Sequence, residues 1–146
     1  MIAAEVNNNK IGRIRLYRLK DASSESLNTA LAELVEPGST IETDGWLGYS
    51  KANEIGLQRV IARKGANVGE DLLPQAHQVA SLLKRWLLGT LQGAIQPTHL
   101  DYYLDEFAFR FNRRTSKSRG KLFYRLLQQA VTIGPVKGSD LIGGKY

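Results

Sequence analysis

The sequence predicts an α/β fold, because strand-like and helix-like segments alternate along its 146 residues. Residues 2–6 and the alternating run 11–19 flank a turn-rich stretch, so they predict a β-hairpin. Apolar residues recur at helical spacing over 27–35, shortly before a Pro-Gly pair, and predict an amphipathic helix. A further alternating run predicts a strand that ends at Asp44.

The rest of the chain continues this alternation. We expect a short helix, another strand and an exposed loop over 49–56, 58–62 and 64–73. Three further helices are predicted over 75–88, 99–111 and 123–131, and a basic polar connector joins the last two. These boundaries give one domain over residues 1–133 and a loosely ordered, glycine-containing tail over 134–146.

Basic residues outnumber acidic ones, with 20 Lys and Arg against 14 Asp and Glu and a pI near 9.7. This balance favours a polyanionic partner, of which nucleic acid is the usual kind. A second interpretation stays open, since many small soluble proteins are mildly basic without binding nucleic acid. The charges are clustered, early over 13–20 and late over 110–121, and their placement is more informative than their sum.

The sequence contains no cysteine and no apolar run near the ~20 residues that a membrane-spanning helix requires. It begins without the pattern of a secretory signal peptide. We therefore expect a cytoplasmic protein with no membrane partner and no disulfide framework. Any metal ion has to be held by Asp, Glu or His side chains.

Three side chains form the candidate catalytic set: Asp44, His77 and Lys84. Asp44 directly follows a predicted strand, so its carboxylate is expected where the strand ends. His77 and Lys84 are seven residues apart on one predicted helix, and about 700° of rotation places them on the same face, about 10 Å apart along the axis. The rest of this helix is mostly apolar, so we expect it to be largely buried against the sheet. A hydrogen-bonded structural histidine and a lysine that extends to solvent are the alternative interpretations.

Three long tracts carry a family resemblance: TDGWLGY over 43–49, HQVASLLKRWLLGTLQG over 77–93 and HLDYYLDEFAFRFNRR over 99–114. With the shorter tracts IGRIRL, DASSESL and VEPGSTI, the likeness extends from Ile2 to about Val136. These tracts resemble the integrase domain of ISXO-like insertion-sequence transposases. The resemblance implies a ribonuclease-H-like α/β fold, in which helices flank a mixed sheet and acidic side chains converge at strand ends and on a helix.

The resemblance also implies DNA cleavage and strand transfer with two divalent ions, Mg²⁺ or Mn²⁺, held by carboxylates. Asp44 matches the second acid of the family's catalytic triad. His77 matches the third position, where relatives often carry Glu, and Lys84 matches a lysine that contacts phosphate or the leaving group. Asp44 and His77 are therefore the expected metal ligands, and DNA, as element ends and as target, is the expected partner.

Two departures from the family pattern qualify these expectations. The family's first acid lies on a strand upstream of the stretch matched by IAAEV, and no such strand precedes Met1 in this sequence. We therefore expect an N-terminally truncated domain with its first strand missing, in which Glu5 is a structural residue. A neutral imidazole is also a poorer Mg²⁺ ligand than a carboxylate, so metal binding is expected to be weak. The missing strand is expected to leave residues 11–19 unusually exposed and to promote self-association.

A cluster of basic residues is the candidate DNA-binding surface. Its late members and one residue of an earlier helix are Arg85, Arg110, Arg113, Arg114, Lys117, Arg119 and Lys121. Such side chains can follow a DNA backbone by neutralising phosphates and releasing counterions. The alternative interpretation is a solvated face with ordinary capping charges. Aromatic residues of the same segment, Tyr103, Phe107 and Phe111, have core spacing and are not expected to stack on bases.

Three functions remain open from the sequence alone. The first is the core of a DDE-type transposase that is inactive alone, because its first catalytic Asp is absent. The second is a non-enzymatic DNA-binding remnant that occupies element ends or associates with a full-length transposase. The third is a basic structural protein that keeps the likeness without any activity.

Overall fold

The computed structural model describes residues 1–62, 71–92, 95–135 and 137–139, and over them the protein has the predicted α/β class. The strands are β1 (Ile2–Asn7), β2 (Lys10–Leu16), β3 (Thr40–Thr43) and β4 (Gln58–Ile61). The α-helices are α1 (Ser24–Leu34), α2 (Pro74–Arg85), α3 (Leu100–Asn112) and α4 (Arg119–Thr132). Shorter helical turns cover Leu47–Tyr49, Ala52–Ile55, Trp86–Thr90 and Pro97–His99. Most of the predicted loop over 64–73 and of the tail over 134–146 lies outside the described residues.

The predicted hairpin is present, because β1 and β2 pair in antiparallel order with Asn7 opposite Lys10. Asn8 and Asn9 form the two-residue turn and have φ angles of 49° and 61°. Two successive residues in the left-handed region are typical of a type I′ turn, whose twist suits a hairpin and which favours asparagine. The turn residues therefore fix the register of the strands.

Glu5 lies at an irregularity in the β1–β2 ladder, between Ala4 and Val6. Its carboxylate accepts hydrogen bonds from the backbone N–H of Arg13 and from the side chain of Asn7, each at 2.9 Å. These bonds, the one from Arg13 first, lower the pKa of Glu5. The side chain thus replaces a missing ladder contact, which is a structural use of this acid.

α1 begins and ends at the predicted signals. The Ser23 hydroxyl accepts a hydrogen bond from the N–H of Ser26, as an N-cap side chain does. The helix buries Leu27, Ala30 and Leu31 on one face, and Leu31 packs with residues of the β3–β4 connection. This cluster is the apolar core that holds β3 and β4 against α1.

The described strands form two separate sheets of two strands, and the single mixed sheet that was predicted is not formed by them. β3 and β4 are parallel, with Thr40 opposite Gln58 and Thr43 opposite Ile61. The alternating pattern of a strand shows which residues form it, but the neighbour of that strand depends on tertiary contacts. The strands themselves were therefore predicted correctly, and their assembly into one sheet was not.

The outer edge of β2 is covered by side chains from the end of α3. The amide of Asn112 accepts a hydrogen bond from the N–H of Ile14 at 2.7 Å and donates one to its carbonyl at 2.8 Å. Arg114 donates to the carbonyl oxygens of Ile11 and Gly12. The prediction that residues 11–19 are unusually exposed is wrong, since Ile14 is only 1% exposed and α3 covers the strand.

α2 is less buried than the sequence predicted. Val79 is its one fully buried residue, and the apolar positions around Val79 are only half-buried. Beyond α2, Trp86 contacts Tyr103 and Phe107 of α3, with ring centroids 6.3 and 5.7 Å apart. These aromatic side chains pack on one another, but they are only half-buried, so the prediction that they are core residues holds in part. None of the described helices combines the length and the apolar composition needed to cross a lipid bilayer.

The Asn112→Ala variant tests the edge contact. We expect its free energy of unfolding to fall by about 1–3 kcal/mol, because the substitution leaves a part-buried N–H and carbonyl of β2 without partners. Urea denaturation followed by circular dichroism measures the change. Thr115→Ala, in the exposed turn after α3, is the matched control. Equal unfolding free energies in the two variants would contradict a role for the Asn112 amide in stability.

Candidate functional site

Asp44 lies where the sequence placed it, directly after the last residue of β3. Gly45 follows with a φ angle of +87°, and a Cβ atom there would lie 3.2 Å from the side chain of Ile61. The chain therefore turns sharply, and the exposed Asp44 carboxylate accepts a hydrogen bond from the N–H of Trp46 at 3.1 Å. This contact holds the Asp44 side chain at the end of the strand.

Arg59 holds the two sides of this turn together. Its Nε donates to the hydroxyl of the buried Thr43 at 3.1 Å, and its Nη2 donates to the carbonyl of Trp46 at 2.8 Å. The two acceptors come immediately before Asp44 and two residues after it. The planar guanidinium makes both bonds from one side chain, so Arg59 fixes the backbone that carries the carboxylate.

Tyr49 lies beside the same turn. The guanidinium of Arg59 is 5.8 Å from the centre of its ring. Burial raises the pKa of the Tyr49 hydroxyl, the negative charge of Asp44 raises it further, and Arg59 partly opposes the shift. The phenol therefore stays protonated near neutral pH and remains a hydrogen-bond donor close to Asp44.

A cleft of about 1030 Å³ opens next to Asp44. Its walls include residues 1–6 (Met1 and most of β1), residues 39–44 around β3, the end of α1 and the first turn of α2. Gln75 and Ala76 of α2 line the cleft. His77 and Lys84 are not among the described residues that line it. Asp44 alone of the candidate catalytic set borders the cleft.

His77 is held by an acid next to its own helix. Its Nδ1 lies 2.5 Å from the carboxylate of Asp71, which also accepts the N–H of Leu73. Because an ionised carboxylate only accepts hydrogen bonds, Nδ1 is a ring nitrogen that carries a proton in this contact. No hydrogen bond or ion pair between described residues joins His77 to Asp44. The imidazole is thus oriented as ligating histidines commonly are, but by Asp71.

Lys84 and Arg85 lie in the last turn of α2, and both are exposed. Lys84 and His77 share the exposed side of the helix, and Val79 is buried. Basic residues near a helix C-terminus interact favourably with the helix dipole, so Lys84 and Arg85 help to stabilise the end of α2. The described contacts do not connect Lys84 to the cleft.

The described residues contain no group of three or more acidic or histidine side chains close enough to hold a metal ion together. Asp44 offers one carboxylate, which accepts the backbone N–H of Trp46. The acids of α3, Asp101 and Asp105, lie elsewhere, beside Arg18 and Leu16. The full ligand set implied by the family resemblance is therefore not assembled by these residues.

Some of the late basic residues contact other side chains or the backbone, and others are exposed to solvent. Arg110 forms an ion pair with Glu106 at 3.3 Å, and the Arg113 guanidinium lies 3.7 Å from the centre of the Phe109 ring. Arg114 stacks on Phe111 and covers the edge of β2. Lys117 and Lys121 are exposed, and the side chain of Arg119 lies outside the described part of the chain. Arg113 and Arg114 thus already have structural partners.

Sequence reasoning did not identify Arg59, Asp71 or Asn112 as important. A signal existed for Arg59, since a long cation within a short strand-like run, QRVIA, needs a partner. No comparable local signal exists for Asn112, because its partner Ile14 is 98 residues away. Asp71 is recognisable only from its contacts with Leu73 and His77.

The Arg59→Met variant tests the bracing of the Asp44 turn. We expect amide hydrogen exchange over residues 44–47 to become at least about tenfold faster, because two hydrogen bonds that fix this backbone are lost, with about 1–3 kcal/mol of local stability. Lys51→Met, an exposed cation in the following connection, is the matched control. Unchanged exchange at residues 44–47 in Arg59→Met would show that Arg59 does not hold the turn.

A comparison with known protein families identifies the family of this chain. The model of the ISXO2-like transposase domain matches residues 1–112, which include β1 to β4, the Asp44 turn and α1 to α3. No curated protein and no solved structure matches the chain. Because the matched region is more than three quarters of the sequence, the chain belongs to the ISXO2-like transposase family.

Proposed function

We propose that the chain is the catalytic core of a DDE-type DNA strand transferase with a ribonuclease-H-like plan. The observation that carries the proposal is the braced carboxylate of Asp44, held at the end of a parallel strand beside an open cleft. In parallel sheets, reactive groups gather at this end of the strands. Membership of a transposase family supports DNA as the substrate.

Divalent ions, when bound in such a site, activate the attacking oxygen and stabilise the leaving oxygen of a phosphodiester. One oxygen of Asp44 accepts the Trp46 N–H, so the other is the better placed for a metal ion. The described residues do not complete a two-ion ligand set. We therefore propose that the chain by itself binds Mn²⁺ or Mg²⁺ weakly and is inactive in strand transfer.

In this proposal His77 is the third ligand and Lys84 is the phosphate contact. The Asp71 carboxylate fixes the ring of His77 and leaves Nε2 to ligate, and nitrogen ligands suit Mn²⁺ better than Mg²⁺. In this structure His77 does not line the cleft, whereas Gln75 and Ala76 of the same helix do. Lys84 lies on the same exposed side of α2 as His77.

Paramagnetic Mn²⁺ tests the role of Asp44 directly. We expect Mn²⁺ to broaden the NMR signals of residues 43–46, and we expect Asp44→Asn to remove the broadening, because an amide oxygen without charge binds the ion far less well. Asparagine can still accept the Trp46 N–H, so the turn is kept. Glu54→Gln, an exposed acid of the next connection, is the matched control and should leave the broadening unchanged. Broadening that survives in Asp44→Asn would refute the proposed metal site.

A second candidate function is DNA binding without catalysis, by an incomplete transposase that acts on element ends. Exposed cations without a described partner favour it: Lys117 in the turn before α4, and Lys121 and Arg125 on α4. The net charge of +6 adds a long-range attraction to DNA. Apolar side chains on α4, including Phe123 and Tyr124, are 64% and 63% exposed, which supports association with a second copy or a full-length transposase.

Salt-dependent binding to a DNA duplex separates this function from a purely structural protein. Replacing Lys117 and Lys121 by Gln should weaken DNA binding. Log affinity should also fall less steeply with log salt concentration, by about two in the magnitude of the slope, because two phosphate contacts are lost. The matched pair Lys10→Gln and Lys51→Gln carries the same change of charge at exposed sites outside α4 and the turn before it. Equal losses in both pairs would assign binding to net charge alone, and no binding at low salt would exclude DNA binding.

A further inference from the structure

Two arginines of the hairpin border the same cleft as Asp44. Arg13 and Arg15 of β2 both line this cleft, and both are exposed. They belong to the early basic cluster of the sequence, to which the proposed chemistry assigns no role. The planar guanidinium of arginine fits phosphate oxygens with two N–H groups at once, so the pair is a candidate surface for a phosphodiester.

The fold fixes the direction of both side chains. Side chains alternate between the two faces of a strand, so Arg13 and Arg15 share one face and Ile14 lies on the other. Ile14 is 1% exposed, and the Asn112 amide bonds to both of its backbone groups. Because β2 cannot rotate without exposing Ile14, the two arginines are held on one side of the hairpin.

Neither guanidinium has a hydrogen bond or an ion pair with a described residue. Ala3 is the partner of Arg15 on β1, and its small side chain leaves that guanidinium uncovered. Glu5 interacts electrostatically with Arg13, but its carboxylate already accepts the Arg13 N–H and the Asn7 side chain. Five other arginines, by contrast, have partners within the fold: Arg18, Arg59, Arg110, Arg113 and Arg114.

The spacing of Arg13 and Arg15 suits one strand of nucleic acid. Residues two apart on a β-strand lie about 6.8 Å apart. This distance is close to that between successive phosphates of an extended nucleic-acid strand, so each guanidinium can bind one of two neighbouring phosphates. A small anion would reach only one of the two side chains. The pair therefore favours a polymer of phosphodiesters.

A different wall of the same cleft is acidic. Glu42 and Asp44, in and directly after β3, line it, and no ion pair between described residues joins them to Arg13 or Arg15. Metal-assisted cleavage requires a phosphodiester to lie beside carboxylates that hold the ion. Cations on one wall and carboxylates on another provide separate places for the nucleic-acid backbone and for the ion.

We propose that Arg13 and Arg15 form a phosphate-binding track that holds one strand of DNA with a phosphodiester next to Asp44. The inference rests on the proposed strand-transferase function for its substrate, and it adds the surface that binds the backbone of that substrate. It assigns this contact to the hairpin, whereas the exposed lysines before and on α4 belong to a separate surface.

Binding of a labelled oligonucleotide of about eight thymidines to the full chain tests the track. Fluorescence anisotropy in metal-free buffer gives the affinity. Replacing Arg13 and Arg15 by Gln should weaken binding at least about tenfold and reduce the magnitude of the slope of log affinity against log salt by about 1.4, since each phosphate contact to a single strand contributes about 0.7. Lys20→Gln with Lys51→Gln is the matched control, because it makes the same change of charge at exposed sites outside the hairpin.

NMR locates the contact without any substitution. At mildly acidic pH, the oligonucleotide should shift the Nε–H signals of Arg13 and Arg15 in the unchanged protein. The Nε–H signal of Arg59 should change less, because this group already donates to the hydroxyl of Thr43. This measurement also separates a lost contact from a hairpin that the substitutions have unfolded.

Each outcome decides the question. Shifted Arg13 and Arg15 signals, with a loss of affinity specific to their Gln pair, support the track. Equal losses in the control pair assign binding to net charge, and shifts confined to Lys117, Lys121 and their neighbours assign it to the α4 surface; either result overturns the proposal, as does no binding at low salt. Because no metal ion is present, a negative result leaves the Mn²⁺ site of Asp44 to its own test.

Discussion

The pairing of Asn112 with both backbone groups of Ile14 is the contact on which the arrangement of this molecule depends. It attaches the end of α3 to the hairpin across 98 residues of sequence and occupies the outer edge of β2. An edge strand that is covered by side chains cannot add a further strand. Among the described residues, the outer edge of β1 is the hairpin edge without such a cover, and residues of β1 line the cleft beside Asp44.

Local signals in the sequence were sufficient to predict the helices and strands, but they were insufficient to predict how these elements pack together. The two asparagines of the hairpin turn and the Ser23 cap act within a few residues, so the hairpin and α1 were predicted correctly. The partner of β3 and the cover of β2 depend on contacts over long sequence distances, which no short pattern encodes. The burial of Ile14 was missed for this reason, since it depends on Asn112 and the rest of α3.

The candidate site shows the same division. The position of Asp44 followed from a strand that ends at a glycine turn, and the structure has that turn. The structural partners of Arg113 and Arg114 could not be predicted from the sequence. A guanidinium binds an aromatic face or a row of carbonyl oxygens as well as it binds a phosphate. Composition therefore indicated a basic surface, but it did not show which of the cations make structural contacts within the fold.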